Sequence, residues 1–255
     1  MLRLLSIEWL KMKSWRTFWI MIAIYSLIIF WATKGVAKGA EAVDEKLPFR
    51  FGLFQFPEVW HIITAAVGIL NLLLAAIVIF YVCNEYRNKT LRKQIVDGLS
   101  EAEFLAGKLL VVFGLALFST ILVIVIGLII GAKPPNADLS IYWQESHYLG
   151  KHFLVATTYM SIAILIAVII KRAVPALFVF VLLHFVETII VNRIDTSFIE
   201  LLPLRAMDDL IPTPLLEGRI TAPPTNSVVV IGCAVAFYLV LINVLAWLKL
   251  KRTSF

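Results

Sequence analysis

Residues 84–108 read NEYRNKTLRKQIVDGLSEAEFLAGK and lie between two apolar runs that are each long enough to cross a bilayer. This charged stretch holds five basic and four acidic residues. Its pattern predicts two short helices, the first with an i,i+4 pair of Glu85 and Lys89 and an end at Gly98. Ser100 and Glu103 have the spacing of a capping box at the start of the second. We therefore expect a folded element outside the membrane that contacts a partner.

Composition places the chain among integral membrane proteins. Hydrophobic residues make up 61% of its 255 residues and charged residues 16%, with a mean hydropathy of +0.91, whereas soluble proteins carry about 25% charged residues. At ~20 residues for each crossing, this length leaves no room for a separate soluble domain, so residues 1–255 are expected to form one transmembrane domain. The net charge of +6 comes from basic residues scattered between apolar runs. Membrane lipid is therefore an expected partner and nucleic acid is not.

Six apolar runs predict six transmembrane helices. They cover residues 17–33, 59–84, 109–132, 152–170, 173–192 and 225–248. The first run is short for a span, and the fifth reaches its full length only by including Glu187. Three glycines in the third run are expected to permit close helix packing: Gly114, Gly127 and Gly131.

The segment before the first run, residues 1–16, is basic and loosely amphipathic. One apolar stripe at helical spacing joins Leu2, Leu5, Trp9 and Met12. This pattern predicts an interfacial helix that keeps Lys11, Lys13 and Arg16 near anionic headgroups. A cleaved signal peptide is the rival interpretation, which the absence of a small-residue cleavage site disfavours.

The distribution of Lys and Arg predicts that both termini are cytoplasmic. In this orientation the inner segments hold most of the 23 basic residues and few of the 17 acidic residues, as the positive-inside rule requires. The expected location is the cell inner (plasma) membrane, with multiple crossings. The outer segment at residues 193–224 carries several prolines among scattered apolar residues. It either dips back into the membrane as short broken helices or forms an ordered external cap, and the sequence leaves both open.

The sequence carries no pattern for catalysis. A chain that hydrolysed ATP would need a phosphate-binding loop of the form Gly-x4-Gly-Lys-Ser/Thr, and the nearest approach, AEFLAGKL at residues 102–109, lacks the first glycine and the hydroxyl. We therefore expect no enzyme activity, no catalytic residue, no metal site and no cofactor in this chain. Cys83 and Cys233 lie within or at the edge of spans and indicate neither a disulfide framework nor a metal site.

A few polar residues within the spans are candidate functional positions. His184 and Glu187 share one face of the fifth helix. Because neither a second His nor another Glu completes a zinc site, a transport-pathway, intersubunit or structural role remains for the pair. Asn71 and Asn243 are lesser candidates for the pathway, and the simpler interpretation of each is a hydrogen bond between helices.

The layout resembles the six-span type-2 permease subunits of ATP-binding-cassette (ABC) transporters. The resemblance rests on the six spans, the basic N-terminal helix and the charged loop after the second span. Its most specific part is Glu85, then Thr90-Leu91-Arg92, then Gly98-x-Ser100 with Lys108 leading into the third span. This sequence departs from the family pattern at Lys89, where glycine is frequent before the threonine, and at Glu101, where arginine is frequent after the serine.

The resemblance implies an all-α integral membrane protein with an N-terminal interfacial helix, six transmembrane helices, a coupling helix after the second span and a re-entrant outer loop after the fifth. It implies a permease subunit, expected to work as an exporter, that forms the translocation pathway with a second copy or a sister permease. A separate nucleotide-binding subunit, which carries the ATP and Mg, would dock on the 84–108 loop. The docking residues implied are Glu85, Arg87, Thr90, Arg92, Gly98 and Ser100.

Two other classes remain open at this point. A secondary transporter or channel-like protein would need no ATPase partner, but it usually shows inverted repeats with broken helices at matching positions, and no convincing repeat is present. An intramembrane enzyme would need a second cluster beyond His184 and Glu187.

Overall fold

The structure is a computed structural model that describes residues 2–44, 54–91, 94, 98–132, 138–191, 199–211 and 226–252, with the side chains of residues 2, 40–44 and 199 excepted. These ranges are built from α-helices, with two short 3₁₀ segments at Leu139–Trp143 and Ile199–Leu201. The α-helices are α1 (Leu2–Ser14), α2 (Arg16–Asp44), α3 (Val59–Gly68), α4 (Asn71–Arg87), α5 (Glu101–Ile130), α6 (His147–Ile170), α7 (Ala173–Val191), α8 (Pro203–Leu210) and α9 (Val228–Lys251).

The all-α membrane fold expected from the apolar runs is confirmed. Five helices are long and apolar enough to cross a membrane, namely α2, α5, α6, α7 and α9. The helices α3 and α4 meet the same test only together and are bent by 45° at the short break between them, as in a broken span or a re-entrant loop, so the structure has five or six candidate spans. The second apolar run is therefore two helices, a break that its continuous hydropathy did not predict.

Several helices are longer than the apolar runs that predicted them. The first run ends at residue 33, whereas α2 continues as a helix to Asp44. Lys34 is accommodated within this helix because its ammonium group lies 5.2 Å from the ring centroid of Phe30 and 5.8 Å from that of Trp31. The third helix begins at Glu101 rather than at residue 109, so charged residues at the end of the loop belong to the helix itself.

Helix α6 is the centre of the bundle. In the most apolar 18-residue stretch of α6, 72% of the residues are buried in the protein, compared with 17% in the corresponding stretches of α7 and α9. It packs against α4, α5, α7 and α9. The faces of α7 and α9 are in contrast largely exposed, as expected for helices that face lipid or another subunit.

The close packing predicted for glycines in the third span is confirmed at two of three positions. A Cβ atom on Gly127 would collide with the Trp60 ring, and one on Gly131 would lie 2.6 Å from the Phe56 ring. A Cβ on Gly114 would meet nothing within 4 Å, so the prediction for this residue is wrong. The two glycines allow α5 to approach α3 and the segment just before it.

Candidate functional site: an ion cluster at the base of the charged loop

Helix α1 turns a charged face toward the protein, and part of its apolar stripe is exposed. Leu5 and Trp9, two members of the predicted stripe, are 49% and 51% exposed, whereas Glu8 is only 4% exposed. Lys11 follows Glu8 by one turn and is half-buried on the same side. Lys11 therefore faces the bundle, and its predicted position near lipid headgroups is wrong.

Four charged side chains from three helices meet at this face, and we call Glu8, Lys11, Glu85 and Lys108 the ion cluster. The Lys108 ammonium nitrogen lies 2.7 Å from Glu8 Oε2 and 2.5 Å from Glu85 Oε1. The Lys11 nitrogen lies 2.7 Å from Glu8 Oε1 and 3.0 Å from the same Glu85 oxygen. Each of the two lysines thus contacts both glutamates, and the formal charges of the four groups sum to zero.

Aromatic side chains complete the walls of the ion cluster. The Tyr81 hydroxyl donates a hydrogen bond to Glu8 Oε2. The Lys108 ammonium group stands over the Tyr81 ring at 4.5 Å and over the Phe104 ring at 4.9 Å. A Cβ on Gly107 would lie 3.3 Å from Glu8 Oε1, so this glycine allows α1 to approach α5 closely. The side chain of Lys108 is 1% exposed and has no route to water.

The pKa values of Glu8 and Lys11 are shifted by their surroundings. Burial works to raise the pKa of Glu8, but the neighbouring Lys108 and Lys11 outweigh it and hold this pKa below its ordinary value. Burial likewise works to lower the pKa of Lys11, but Glu85 and Glu8 outweigh it and raise this pKa. Both shifts favour the charged forms of Glu8 and Lys11.

Glu85 does not form the predicted i,i+4 pair with Lys89. Helix α4 ends at Arg87, and Lys89 follows with a positive φ of 55°, so it is no longer one helical turn from Glu85. Glu85 bonds instead to Lys11 and Lys108 and is buried. The exposed Arg87 donates to Asn84 Oδ1 at 2.9 Å, and the Thr90 hydroxyl donates to the Glu85 carbonyl oxygen at 3.2 Å.

The helix end at Gly98 and the capping box at Ser100, both predicted for the second half of the loop, are confirmed. Gly98 has φ of +91°, and the Leu99 N–H donates to the Gln94 carbonyl at 2.9 Å, which is the bond of a glycine helix terminus. Ser100 and Glu103 form a complete capping box at the start of α5. Arg92 lies outside the described residues.

The comparison with known families gives one match. The model of the family described as ABC-2 family transporter protein matches residues 4–190. The chain belongs to the ABC-2 transporter family. The ABC-2 match runs from α1 to the end of α7 and so includes the whole ion cluster and the loop above it. The comparison with curated proteins gave no match.

The family assignment gives the coarse function. This ABC-2 protein is a multi-pass membrane protein, a permease subunit of an ABC transporter. Members of this family are transport subunits that generally work with a separate ATPase.

Glu187 of this ABC-2 chain holds the short helix α8. Its Oε1 atom accepts the backbone N–H of Arg205 at 2.8 Å, which is the third residue of α8 and one of the N–H groups that a helix leaves unpaired at its start. His184, one turn earlier, is half-buried. The geometry makes Glu187 a structural contact, and the pathway role of His184 and Glu187 stays a prediction.

Helix α8 reaches deep into the bundle. Its residue Asp208 accepts a hydrogen bond from Tyr159 in the middle of α6 at 3.2 Å. Just before α8, the Leu201 carbonyl accepts one from Tyr238 in the middle of α9 at 2.8 Å. Among the two possibilities left open by the sequence, these contacts favour a segment that dips back between the spans.

The two predicted asparagines differ. Asn243 donates to Ser161 Oγ on α6 at 3.3 Å and to the Leu239 carbonyl at 2.7 Å, which confirms the predicted bond between helices. Asn71 is fully buried at the break between α3 and α4, and its amide has no hydrogen-bond partner among the described residues. A pathway role for either stays a prediction.

A polar chain within the spans was missed by the sequence analysis. The Tyr25 hydroxyl lies 2.7 Å from Ser119 Oγ, which lies 3.0 Å from His152 Nε2. The three residues come from α2, α5 and α6 and are buried. In the sequence, His152 lies at the edge of an apolar run. In the structure it lies more than one turn inside α6 and is buried against the core. Among the described residues, no group of three His, Cys, Asp or Glu is placed to hold a metal ion.

Proposed function

We propose that this permease subunit is driven by a separate ATPase subunit that docks on residues 84–108, and that it works as an exporter. The observation that carries the proposal is the ion cluster at the base of this loop. Glu85 stands in the last turn of α4 and Lys108 in the second turn of α5. Their contact at 2.5 Å closes the loop where it leaves the bundle.

A closed base determines how a force on the loop is transmitted. If the two ends of the loop were independent, a push from a partner would be absorbed by the loop's own flexibility. Glu85 and Lys108 are instead held by each other and by Glu8 and Lys11. A displacement of the loop therefore moves α4, α5 and α1 together, which is the rigid-body motion that coupling to an ATPase requires.

The exposed groups on the loop suit a partner surface. Arg87, Lys89, Ser100 and Glu103 are exposed above the buried base, and they present both charge signs in the manner of an electrostatically complementary interface. The departure of Lys89 from the family pattern falls on this exposed part and not on the base. Docking specificity and transmission are thus carried by different residues.

The remaining parts of the proposal follow from the same assignment. The protein would lie in the cell inner membrane with both termini and the 84–108 loop in the cytoplasm. It would pair with a second copy or a sister permease, since the exposed faces of α7 and α9 leave room for one. ATP and Mg would be bound by the partner ATPase.

The test is co-expression with an ATP-binding subunit, which we expect to be encoded in the reading frame next to that of this chain. We expect the two chains to copurify and the ATPase activity to depend on the permease. Lys89→Glu should weaken the association about tenfold by reversing a charge on the proposed docking surface, while leaving the fold intact because Lys89 is exposed. Copurification and ATP-driven transport that were unchanged in Lys89→Glu and Arg87→Glu would contradict docking on this loop.

A second variant separates docking from transmission. Glu8→Gln removes one corner of the ion cluster without touching the exposed loop, so the ATPase should still copurify while ATP hydrolysis no longer drives transport. Lys13→Gln, an exposed charge on the same helix, is the matched control and should behave as the wild type. Full transport by Glu8→Gln would show that the ion cluster does not transmit the motion.

A further inference from the structure

A cavity of about 830 Å³ lies beside the ion cluster, at the same end of the bundle. Its walls are the end of α4, the junction of α1 and α2, and the turn between α6 and α7. The size lies within the range of pockets that hold small organic ligands, about 300–1,000 Å³. None of the functions assigned so far uses this cavity.

The lining of the cavity includes basic side chains and unused hydrogen-bonding capacity. Arg87, Lys171 and Arg172 line it together with Asn84 and Tyr86, and no acidic side chain does so among the described residues. Asn84 Oδ1 accepts from the Arg87 guanidinium at 2.9 Å and holds it at the rim. The buried Tyr86 hydroxyl has no hydrogen-bond partner among the described residues. It can therefore donate a hydrogen bond to a bound ligand.

The helix ends at the cavity carry partial charges of both signs, negative at the C-termini of α4 and α6 and positive at the N-terminus of α7. The basic side chains therefore supply the net positive charge. Lys171 has the left-handed φ of 61°, and its N–H closes α6 by donating to the Ala167 carbonyl at 2.8 Å. The chain then starts α7 at once, so the N-terminus of a 19-residue helix also points to the cavity. Helix N-termini carry partial positive charge and favour anions.

The rest of the cavity lining is largely apolar. Trp15, Phe80, Ile170, Val174 and Pro175 belong to it, and Val174 is 74% exposed on the outer surface of the bundle. The cavity is therefore open sideways, along a helix face whose exposed residues are apolar. A soluble anion would gain nothing from such a wall, whereas an amphiphile would bury its chain there.

From this juxtaposition we propose that the cavity binds the phosphate headgroup of an anionic phospholipid, with the upper part of its acyl chains against the apolar wall. Arg87, Lys171 and Arg172 pair with the phosphate, and Tyr86 donates to it. In the proposed orientation the lipid comes from the cytoplasmic leaflet, where anionic lipids attract basic residues. The site abuts the end of α4, so its occupant contacts a helix that the ion cluster joins to the loop.

The experiment measures lipid binding to the purified full-length chain by native mass spectrometry, with phosphatidylglycerol and phosphatidylcholine at equal concentration. The wild type should retain phosphatidylglycerol preferentially. A basic residue near a membrane surface contributes roughly fivefold in affinity, so Lys171→Gln with Arg172→Gln should reduce this retention about 30-fold. Tyr86→Phe, which keeps the ring and removes only the hydroxyl, should reduce it by a smaller factor. The readout needs neither an ATPase nor transport, so its failure is separate from a failure of the proposed function.

The matched control is Lys13→Gln with Arg252→Gln, which removes the same charge from exposed positions at the same end of the bundle and away from the cavity. The control should bind phosphatidylglycerol as the wild type does. An equal loss in the control, or no loss in the Lys171 and Arg172 variant, would overturn the proposal. Complete displacement of the lipid by inorganic phosphate would also overturn it, since the apolar wall would then play no part. Folding of every variant is checked by circular dichroism and gel filtration, with Lys171→Arg paired with Arg172→Lys to restore the charge.

Discussion

Lys108 is the residue on which the candidate site depends most. It contacts both carboxylates of the ion cluster, and its side chain is almost completely shielded from water. Removing one partner from a buried ion pair leaves charges without compensation and costs about 3–5 kcal/mol. Lys108→Met should therefore destabilise the protein strongly, because Glu8 and Glu85 would face each other with Lys11 alone between them.

The measurement for Lys108→Met is thermal unfolding of the purified chain in detergent. Lys13→Met, which removes an exposed lysine from α1, should change the unfolding temperature little, as surface substitutions do. Equal unfolding temperatures for the two variants would contradict a structural role for the ion cluster.

Two glycines of one helix give a matched test of packing. Gly127→Ala forces a methyl group into the Trp60 ring, whereas Gly114→Ala places it in open space. Overpacking typically costs about 1–3 kcal/mol, so Gly127→Ala should lower the unfolding temperature and Gly114→Ala should leave it unchanged or raise it slightly. Similar behaviour of both variants would mean that α5 and α3 are not closely packed.

At the scale of elements, the position of α8 rests on a side chain of α7. Glu187 accepts the Arg205 N–H at the start of α8, and the Arg205 guanidinium bonds to Asp209 at 2.7 Å one turn later. Loss of a charged group at a helix N-terminus costs up to ~2 kcal/mol in partly buried geometry. Glu187→Gln should accordingly speed amide hydrogen exchange in α8 by roughly 5- to 30-fold.

The control for Glu187→Gln is exchange in α1, which packs against α2 and α5 and should keep the wild-type rate. His184→Gln, on the same face of α7, should leave α8 unchanged. If α8 in Glu187→Gln were as protected as in the wild type, the bond to Arg205 would contribute nothing to its position.

The same helix should make stability depend on pH. Burial raises the pKa of Asp209 to about 6 from its ordinary 3.8; Arg205 opposes the rise, and Asp208 and Glu200 add to it. Since the folded chain binds this proton more tightly than the unfolded chain, the stabilisation is complete below the ordinary pKa and is lost as the pH rises through about 6. The unfolding temperature should therefore be lower at pH 7 than at pH 5. Asp209→Asn should flatten this difference, and an unaltered slope would exclude Asp209 as its source.

The helices and their ends were largely predictable from the sequence, whereas the ion cluster was not. Apolar runs and the capping box at Ser100 are local patterns, and local patterns are what periodicity and spacing record. Glu8 meets Lys108 across 100 residues and Tyr81 across 73. The sequence of α1 alone does not indicate which face of this helix packs against the bundle. Glu8 stood out only as the single acidic residue of a basic helix.

The contact between Glu187 and α8 was hidden for a different reason. A carboxylate within an apolar run indicates a polar partner, but this partner is a backbone N–H, which every residue except proline carries. The sequence therefore indicates that Glu187 is an acceptor, but it does not indicate that the N–H of Arg205 is the donor. The break between α3 and α4 was hidden because hydropathy continues unchanged through it.

At the scale of the whole molecule, the orientation in the membrane is open to a direct test. In a background without cysteines, made by Cys83→Ala and Cys233→Ala, single cysteines replace the exposed Lys89 and Glu145, which lie at opposite ends of the bundle. A membrane-impermeant maleimide added to intact cells should label Glu145→Cys and should label Lys89→Cys only after permeabilisation. The reverse pattern would invert the topology and remove the proposed ATPase contact.

The wide separation of the ion cluster along the chain also bears on how the protein is made. During synthesis α1 emerges first, while Lys108 is added 100 residues after Glu8, a delay of roughly 5–20 s at the usual rate of translation. Until then Glu8 lacks the lysine of α5 and, within the ion cluster, has only Lys11, one helical turn away, to pair with. Helix α1 must therefore wait at the membrane surface while two spans insert, and its docking onto α5 marks the moment when the first three spans have assembled in the correct order. A ribosome stalled before residue 108 would leave α1 undocked and open to protease.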